Sequence, residues 1–201
     1  VAEPAPARRR YASPLRAARA RATRERILDA ALALIEAVGL EGLSLAAVAA
    51  RAGLPERTLY RHWAGREALL DALWQRIAER VGMPEAPTDP AGWADLPRTT
   101  FAGFDRHAAL MRALLASPSG RAFARRDLEA RTAALERALA PVTAGLAPED
   151  RAALVALVQL LNTATAWATL VAYRGIDGPT AGRIAARGLD WLFSGSRRRS
   201  A

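Results

Sequence analysis

The sequence contains no cysteine, only two histidines, and aromatic residues at 6% of its 201 positions. Without cysteine there is no disulfide framework, thiol nucleophile or Cys-based zinc site, and redox chemistry does not constrain the compartment. His62 and His107 stand too far apart in sequence to suggest a ligand cluster, so no metal or cofactor is predicted. There is no phosphate-cradling glycine motif, no HExxH and no nucleophile elbow, and His107 has no evident acid–base partner, so no catalytic residues and no enzyme activity are predicted. Arg8, Arg9 and Arg10 are not followed by an apolar stretch, as a secretory signal would require, and a cytoplasmic location is expected. Strand-like alternation and internal repeats are also missing.

Lysine is absent too: all 29 basic residues are arginine, against 20 acidic ones, for a formal charge of +9. The excess favours a polyanionic partner, nucleic acid before membrane surface. The choice of Arg over Lys, together with abundant Ala, reads as a GC-rich coding bias and carries little mechanistic weight. The stretch from Ala152 to Tyr173 is apolar and long enough to raise a membrane span. Gln159, Asn162, Thr163, Thr165 and Thr169 interrupt it, and a central helix meeting other helices is the expected reading, with no membrane partner.

The periodicity predicts an all-α chain. Residues 1–20 show no period and read as a disordered basic arm. Residues 21–80 form a helix-turn-helix domain, 81–92 a Pro/Gly-rich linker, 93–196 a helical domain, and 197–201 a basic tail. In the first domain Ile27, Ala31, Leu34, Ile35 and Val38 keep helical spacing up to Gly39. Ser44 caps a second helix, Leu45–Ala52, which Gly53 closes. Pro55 suits the first position of a third helix, and a fourth runs to about Arg80. Beyond the linker, helices are predicted near 93–116, 120–140, 148–173 and 179–193, with cuts at Ser117-Pro118, at Pro141 with Gly145, and between Gly175 and Pro179.

The third helix does not look built for a core. Leu54, Leu59 and Trp63 supply an apolar side, while Arg57, Thr58, Tyr60, Arg61 and His62 supply donors suited to phosphates and base edges. Placing that face in the DNA major groove is the simplest physical use of it.

Residues 23–80 resemble the DNA-binding domain of the tetracycline repressor (TetR) family of bacterial transcription regulators. The resemblance is carried by Ile27-Leu-Asp-Ala-Ala, Leu45-Ala-Ala-Val-Ala-Ala-Arg-Ala-Gly, Thr58-Leu-Tyr-Arg-His-Trp and Arg66-Glu-Ala-Leu-Leu, in that order. It implies an N-terminal three-helix DNA-binding domain and a C-terminal helical bundle for effector binding and dimerisation. The implied function is a ligand-responsive repressor acting as a homodimer on a palindromic operator in double-stranded DNA. Pro55 stands where such families usually carry a capping Ser, and Trp63 replaces the commoner Phe.

Arg57 is the leading base reader, its fork suited to guanine O6 and N7 for about 1–3 kcal/mol of discrimination; the alternative is a solvated surface arginine. Glu56 either accepts from cytosine N4 or only favours the helix dipole. Thr58 and Tyr60 match family positions that touch phosphates or bases, and Arg61 joins them on the helix. His62 reads as a phosphate contact or as a group serving the helix C-terminus. Arg66 is placed on the phosphate backbone beside the fourth helix's N-terminus, and Ser44 serves as cap and phosphate neighbour. Arg16, Arg19, Arg21 and Arg24 either follow the phosphate backbone, enter a flanking minor groove, or belong to a disordered solvated tail.

In the second half, Phe101, Phe104, His107, Met111, Leu115 and Phe123, with Asn162, Thr165 and Trp167, could line a pocket for a small apolar or aromatic effector. The same stripe at helical spacing also reads as plain core. Leu154 to Tyr173, with Ala185, Leu189 and Leu192, suits a symmetric four-helix dimer seam, small residues there allowing close packing. The alternative to a regulator is a helical small-molecule- or partner-binding protein with a vestigial helix-turn-helix.

Overall fold

The computed structural model describes residues 14–123 and 125–199, which form eleven helices and no strand. The first group is α1 (Pro14–Val38), α2 (Leu45–Ala52), α3 (Glu56–His62) and α4 (Arg66–Val81). Then come α5 (Pro90–Arg106), α6 (Ala108–Leu115), α7 (Pro118–Phe123) and α8 (Leu128–Thr143). The last are α9 (Pro148–Leu161), α10 (Ala164–Arg174) and α11 (Gly178–Arg199).

The helix-turn-helix is built as its residues dictate. Ser44 caps α2, its Oγ accepting from the Ala47 N–H at 3.1 Å. Gly53 closes the helix at φ +63°, and the Gly53 and Leu54 N–H groups return to the Ala50 and Ala49 carbonyls. That positive φ costs a glycine nothing and lets the chain reverse in three residues. Pro55 is the N-cap of α3 and not its first helical residue, with φ −62° and ψ 141°, and its carbonyl accepts the first bond from Thr58. Ile27, Leu32 and Ile35 of α1, Val48 of α2, Leu59 of α3 and Leu73 of α4 are all fully buried. Arg76 and Arg80 of α4 both reach Asp29 of α1, at 3.2 and 2.9 Å.

The arm expected over residues 1–20 is not unstructured throughout. Residues 14–20 are the opening turns of α1, continuous with the helix that Ile27 and Ala31 anchor; residues 1–13 lie outside the described chain. The expected tail over 197–201 likewise starts as helix, residues 197–199 completing α11, and positions 200 and 201 are outside the description.

Where a linker is expected over 81–92, the chain between α4 and α5 is short. α4 ends at Gly82, and α5 starts after Asp89, whose carboxylate accepts from Gly92 N–H at 2.8 Å. It does not separate two independent cores. One apolar cluster runs from Ile27, Leu59 and Leu73 through Phe101, Leu110 and Trp167 to Ala181, joining α1–α4 to the second half. A smaller cluster holds Trp93, Leu139, Val158, Leu189 and Phe193 at the far end. Glycine permits the closest joints. A Cβ on Gly103 would fall 1.8 Å from the Val81 carbonyl oxygen, and one on Gly182 would fall 2.5 Å from that of Pro97. These contacts press α5 onto the end of α4 and onto α11.

Three expected helices differ. The helix predicted over 93–116 is broken at His107, which caps both α5 and α6 with φ −116° and ψ 35°. The helix predicted over 148–173 bends by 66° between α9 and α10. There Asn162 ends one helix, and the Thr163 hydroxyl caps the next by accepting from Ala166 N–H. Among the described residues, no single helix is long and apolar enough to cross a membrane. The helix predicted over 120–140 is divided, α7 ending at Phe123 and α8 starting at Leu128. Pro141 does not cut α8, which continues to Thr143, so near the helix end the missing N–H forfeits one bond without a break.

Candidate DNA-binding surface and ligand cavity

α3 presents two unlike faces. Leu59 and Trp63 are buried under it, while Glu56, Arg57, Tyr60 and Arg61 are exposed on the other side, Tyr60 at 55%. Tyr60 therefore stands outside the core. Thr58 is half-buried at the shoulder. The exposed ridge carries two guanidiniums, a phenol and one carboxylate on less than two turns, with Ser44 also exposed at the start of α2. Among the described residues none forms a hydrogen bond or ion pair with the Arg57 or Arg61 side chain, so both forks face solvent.

His62 sits differently. Its ring is half-buried 5.7 Å from that of Trp63, and its Nε2 is buried without a partner. Burial, then the charges of Arg61 and Arg24, hold its pKa below the ordinary 6.5. The ring thus packs at the end of α3 in the form that carries no charge for a phosphate or for the helix dipole. Arg66 is exposed, yet its Nε donates to the Leu43 carbonyl at 3.4 Å, so it braces the α1–α2 turn next to Ser44.

Sequence reasoning assigned Arg24 no individual contact. Its guanidinium lies 4.7 Å from the Trp63 ring centroid and donates to the His62 carbonyl at 3.5 Å. It thereby supports the C-terminus of α3 from α1, in a cation–π arrangement typically contributing about 0.5–1 kcal/mol at exposed sites. An arginine one helix away gives no local signal of this kind.

The second half contains a cavity of about 270 Å³ between α4, α5, α6, α8, α9 and α10. Of the residues expected there, Phe104, Met111, Leu115, Asn162 and Thr165 line it. Phe101 and Trp167 are fully buried core instead, Trp167 standing behind Phe104 at 6.0 Å between ring centroids. Phe123 is buried against the edge of Trp74, and His107 sits at the α5–α6 joint; neither is on the wall. The wall also includes Trp74 and Ile77 of α4, Trp93, and a charged group of Arg121, Arg125, Asp127 and Arg131. Periodicity in the sequence does not reveal these, because Trp74 and Ile77 come from the helix-turn-helix half and the charged group gathers around the α7–α8 turn. Among the described residues no cluster of His, Asp or Glu could hold a metal ion.

Two contacts join this cavity region to the helix-turn-helix. Arg126, between cavity residues Arg125 and Asp127, pairs with Glu67 at 2.7 Å and Asp71 at 2.8 Å on α4. The Glu67 hydrogen bond chiefly raises the Arg126 pKa. Glu41 in the α1–α2 turn is held below the ordinary carboxylate value, mainly by a hydrogen bond from Ser117 at the α6–α7 junction.

Comparison with known proteins agrees with this arrangement. Residues 27–73 match the model for bacterial regulatory proteins of the tetR family. The chain is 37% identical over 93 residues to tetracycline repressor protein class D of Escherichia coli, covering 46% of this chain and 42% of that one. It is 34% identical over 103 residues to the HTH-type transcriptional repressor DrrR1 of Streptomyces coeruleorubidus, covering 49% and 38%. The match thus spans about four-tenths of the length of these curated relatives. In overall fold the chain is similar to a transcriptional regulator from Aquifex aeolicus VF5, with TM-score 0.56 at 18% identity over 85% of this chain and 99% of that one. A Rhodococcus sp. Rha1 regulator gives 0.52 at 20% identity, over 86% and 96%. Residues 27–73 thus carry the helix-turn-helix of bacterial regulatory proteins of the tetR family, and the all-α architecture built onto it is similar in fold to solved transcriptional regulators.

Proposed function

We propose that this protein is a sequence-specific DNA-binding transcriptional regulator, a homodimeric repressor whose hold on a palindromic operator is released by a small molecule. The observation that carries the DNA-binding part is the exposed ridge of α3, where Arg57, Tyr60 and Arg61 face solvent while Leu59 and Trp63 fix the helix from behind. Arg57 and its ridge neighbours, with Ser44, Glu56 and Thr58, form the surface offered to the major groove. A drifting, vestigial helix-turn-helix would have no reason to keep donors on that face.

The dimer reading rests on an apolar face left uncovered. Leu157 and Leu160 of α9 and Ile184 and Trp191 of α11 are 42%, 53%, 44% and 68% exposed. Such a face, self-complementary across a two-fold axis, suits a four-helix seam. Leu157 and Leu160 fall within the stretch expected there, whereas Ala185 and Leu189 of the same expectation point into the protein's own core.

The ligand reading rests on the cavity. α4 contributes Trp74 and Ile77 to its wall and carries Arg66 at its other end against the helix-turn-helix. A molecule that binds better to a second arrangement of α4 lowers DNA affinity by that same preference.

Arg57→Ala tests the reading. Discrimination between operator and scrambled duplex is expected to fall by about 1–3 kcal/mol with folding unchanged. Equal binding of both duplexes by the parent protein at physiological salt would refute it.

A further inference from the structure

The cavity wall holds a charge that the protein does not satisfy. Arg131 of α8 lines both the 270 Å³ cavity and an adjoining one of about 240 Å³, the two sharing Trp74, Met83, Trp93, Asp127 and Arg131. Its side chain is half-buried and makes no hydrogen bond or ion pair with any described residue. Burial pushes its pKa down, and the Asp127 carboxylate one turn earlier only partly opposes this. Among the described residues Asp127, which is exposed, is the one carboxylate lining the first cavity, against Arg121, Arg125 and Arg131, and Glu85 joins it on the second. Among these, Arg121 already donates to the Leu115 carbonyl at 3.0 Å.

A second polar group on the same wall is unpaired. The Asn162 amide donates to the Val158 and Trp93 carbonyls at 2.9 and 3.3 Å, while its Oδ1 is buried with no partner. Beyond these and the charged group around the α7–α8 turn, Gln159, Thr163 and Thr165 are the polar residues lining the first cavity, and its other walls are apolar and aromatic. A half-buried guanidinium beside indole rings favours a planar anion that takes two parallel N–H donors, and its incomplete hydration lowers the cost of exchange.

We infer that the cavity binds an amphipathic organic anion, an aromatic or apolar body bearing a carboxylate that pairs with Arg131. A hydrogen-bond donor on that body would meet Asn162 Oδ1. The inference rests on the ligand-responsive reading above and narrows its effector to a chemical class.

The test uses the full-length protein and three matched probes: 2-naphthoate, 2-naphthamide and 2-naphthylmethylammonium. Binding is followed by calorimetry and by the fluorescence of Trp74 and Trp93. The carboxylate is expected to bind about 10- to 100-fold more tightly than the amide, the range of a charged hydrogen-bonded pair, and the ammonium least. Arg131→Leu should erase the preference and leave the amide's affinity within about twofold; Arg131→Lys, a control for folding, should keep part of it. Equal binding of acid and amide, a carboxylate preference that survives Arg131→Leu, or no binding of any probe at millimolar concentration overturns the inference. An amide that binds as well and releases DNA would overturn it while leaving ligand response standing. A carboxylate held by Arg131 that leaves DNA affinity untouched would do the reverse.

Discussion

Removing the Arg126 guanidinium should loosen the second half of the protein from α4. The Arg126 side chain is 23% exposed and donates from Nη2 to Glu67 and from Nε to Asp71, both acidic side chains being at least 70% exposed. Exposed ion pairs contribute about 0.2–1 kcal/mol each, so the partners' solvation keeps the total small. The guanidinium also lies 5.8 Å from the Phe123 ring, adding about 0.5 kcal/mol. Arg126→Gln is therefore expected to cost about 1–2 kcal/mol, a fall in Tm of about 2–8 °C for a protein of this size. A double-mutant cycle with Asp71→Asn, followed by urea denaturation, should return a coupling of about 0.5–1 kcal/mol that shrinks in about 0.5 M salt. Because Arg125 and Asp127 are on the cavity wall, ligand-induced release from DNA should also weaken, by on the order of fivefold for each kcal/mol that the substitution removes from the α4 junction. Additivity within about 0.3 kcal/mol, or unchanged coupling in high salt, would refute the reasoning.

Other perturbations have equally definite outcomes. Gly103→Ala sets a Cβ against the Val81 backbone and should cost about 1–3 kcal/mol by thermal denaturation, toward the upper end because backbone cannot step aside. Gly195→Ala, which meets nothing within 4 Å, should be neutral or slightly stabilising. His62, with its folded pKa below 6.5, binds fewer protons folded than unfolded, so its contribution is present above about pH 6.5 and lost as pH falls through the depressed value. The parent protein should therefore lose stability between about pH 7.5 and 5.5 more steeply than His62→Gln. Leu160→Glu, placed in the exposed apolar face, should shift sedimentation toward monomer while leaving the helical circular dichroism unchanged.

The helix-turn-helix is legible in the sequence because each of its boundaries carries its own chemical signal. Ser44 is a cap, Gly53 takes positive φ, and Leu59 and Trp63 keep the buried spacing. The break at His107 is not legible, since Phe104, Met111 and Leu115 continue one helical period across it and no Gly or Pro marks the joint. The bend at Asn162-Thr163 does have a signal, two capping residue types in succession, but the apolar run around them hides it. The cavity is half legible. Periodicity finds apolar stripes but cannot say that Phe101 packs inward while Phe104 reaches the cavity, nor that α4 supplies Trp74 from the other half of the chain. In the sequence Arg131 looks like any helix-surface arginine, and only the fold half-buries it.

The most direct test of the central claim is selection of bound duplexes from a random DNA pool at about 150 mM salt, where non-specific phosphate attraction is weakened. The account predicts recovery of an inverted repeat whose half-sites lie one helical turn or a multiple apart, lost or relaxed in Arg57→Ala. A pool no different from background, from protein freed of any co-purified small molecule, would contradict it.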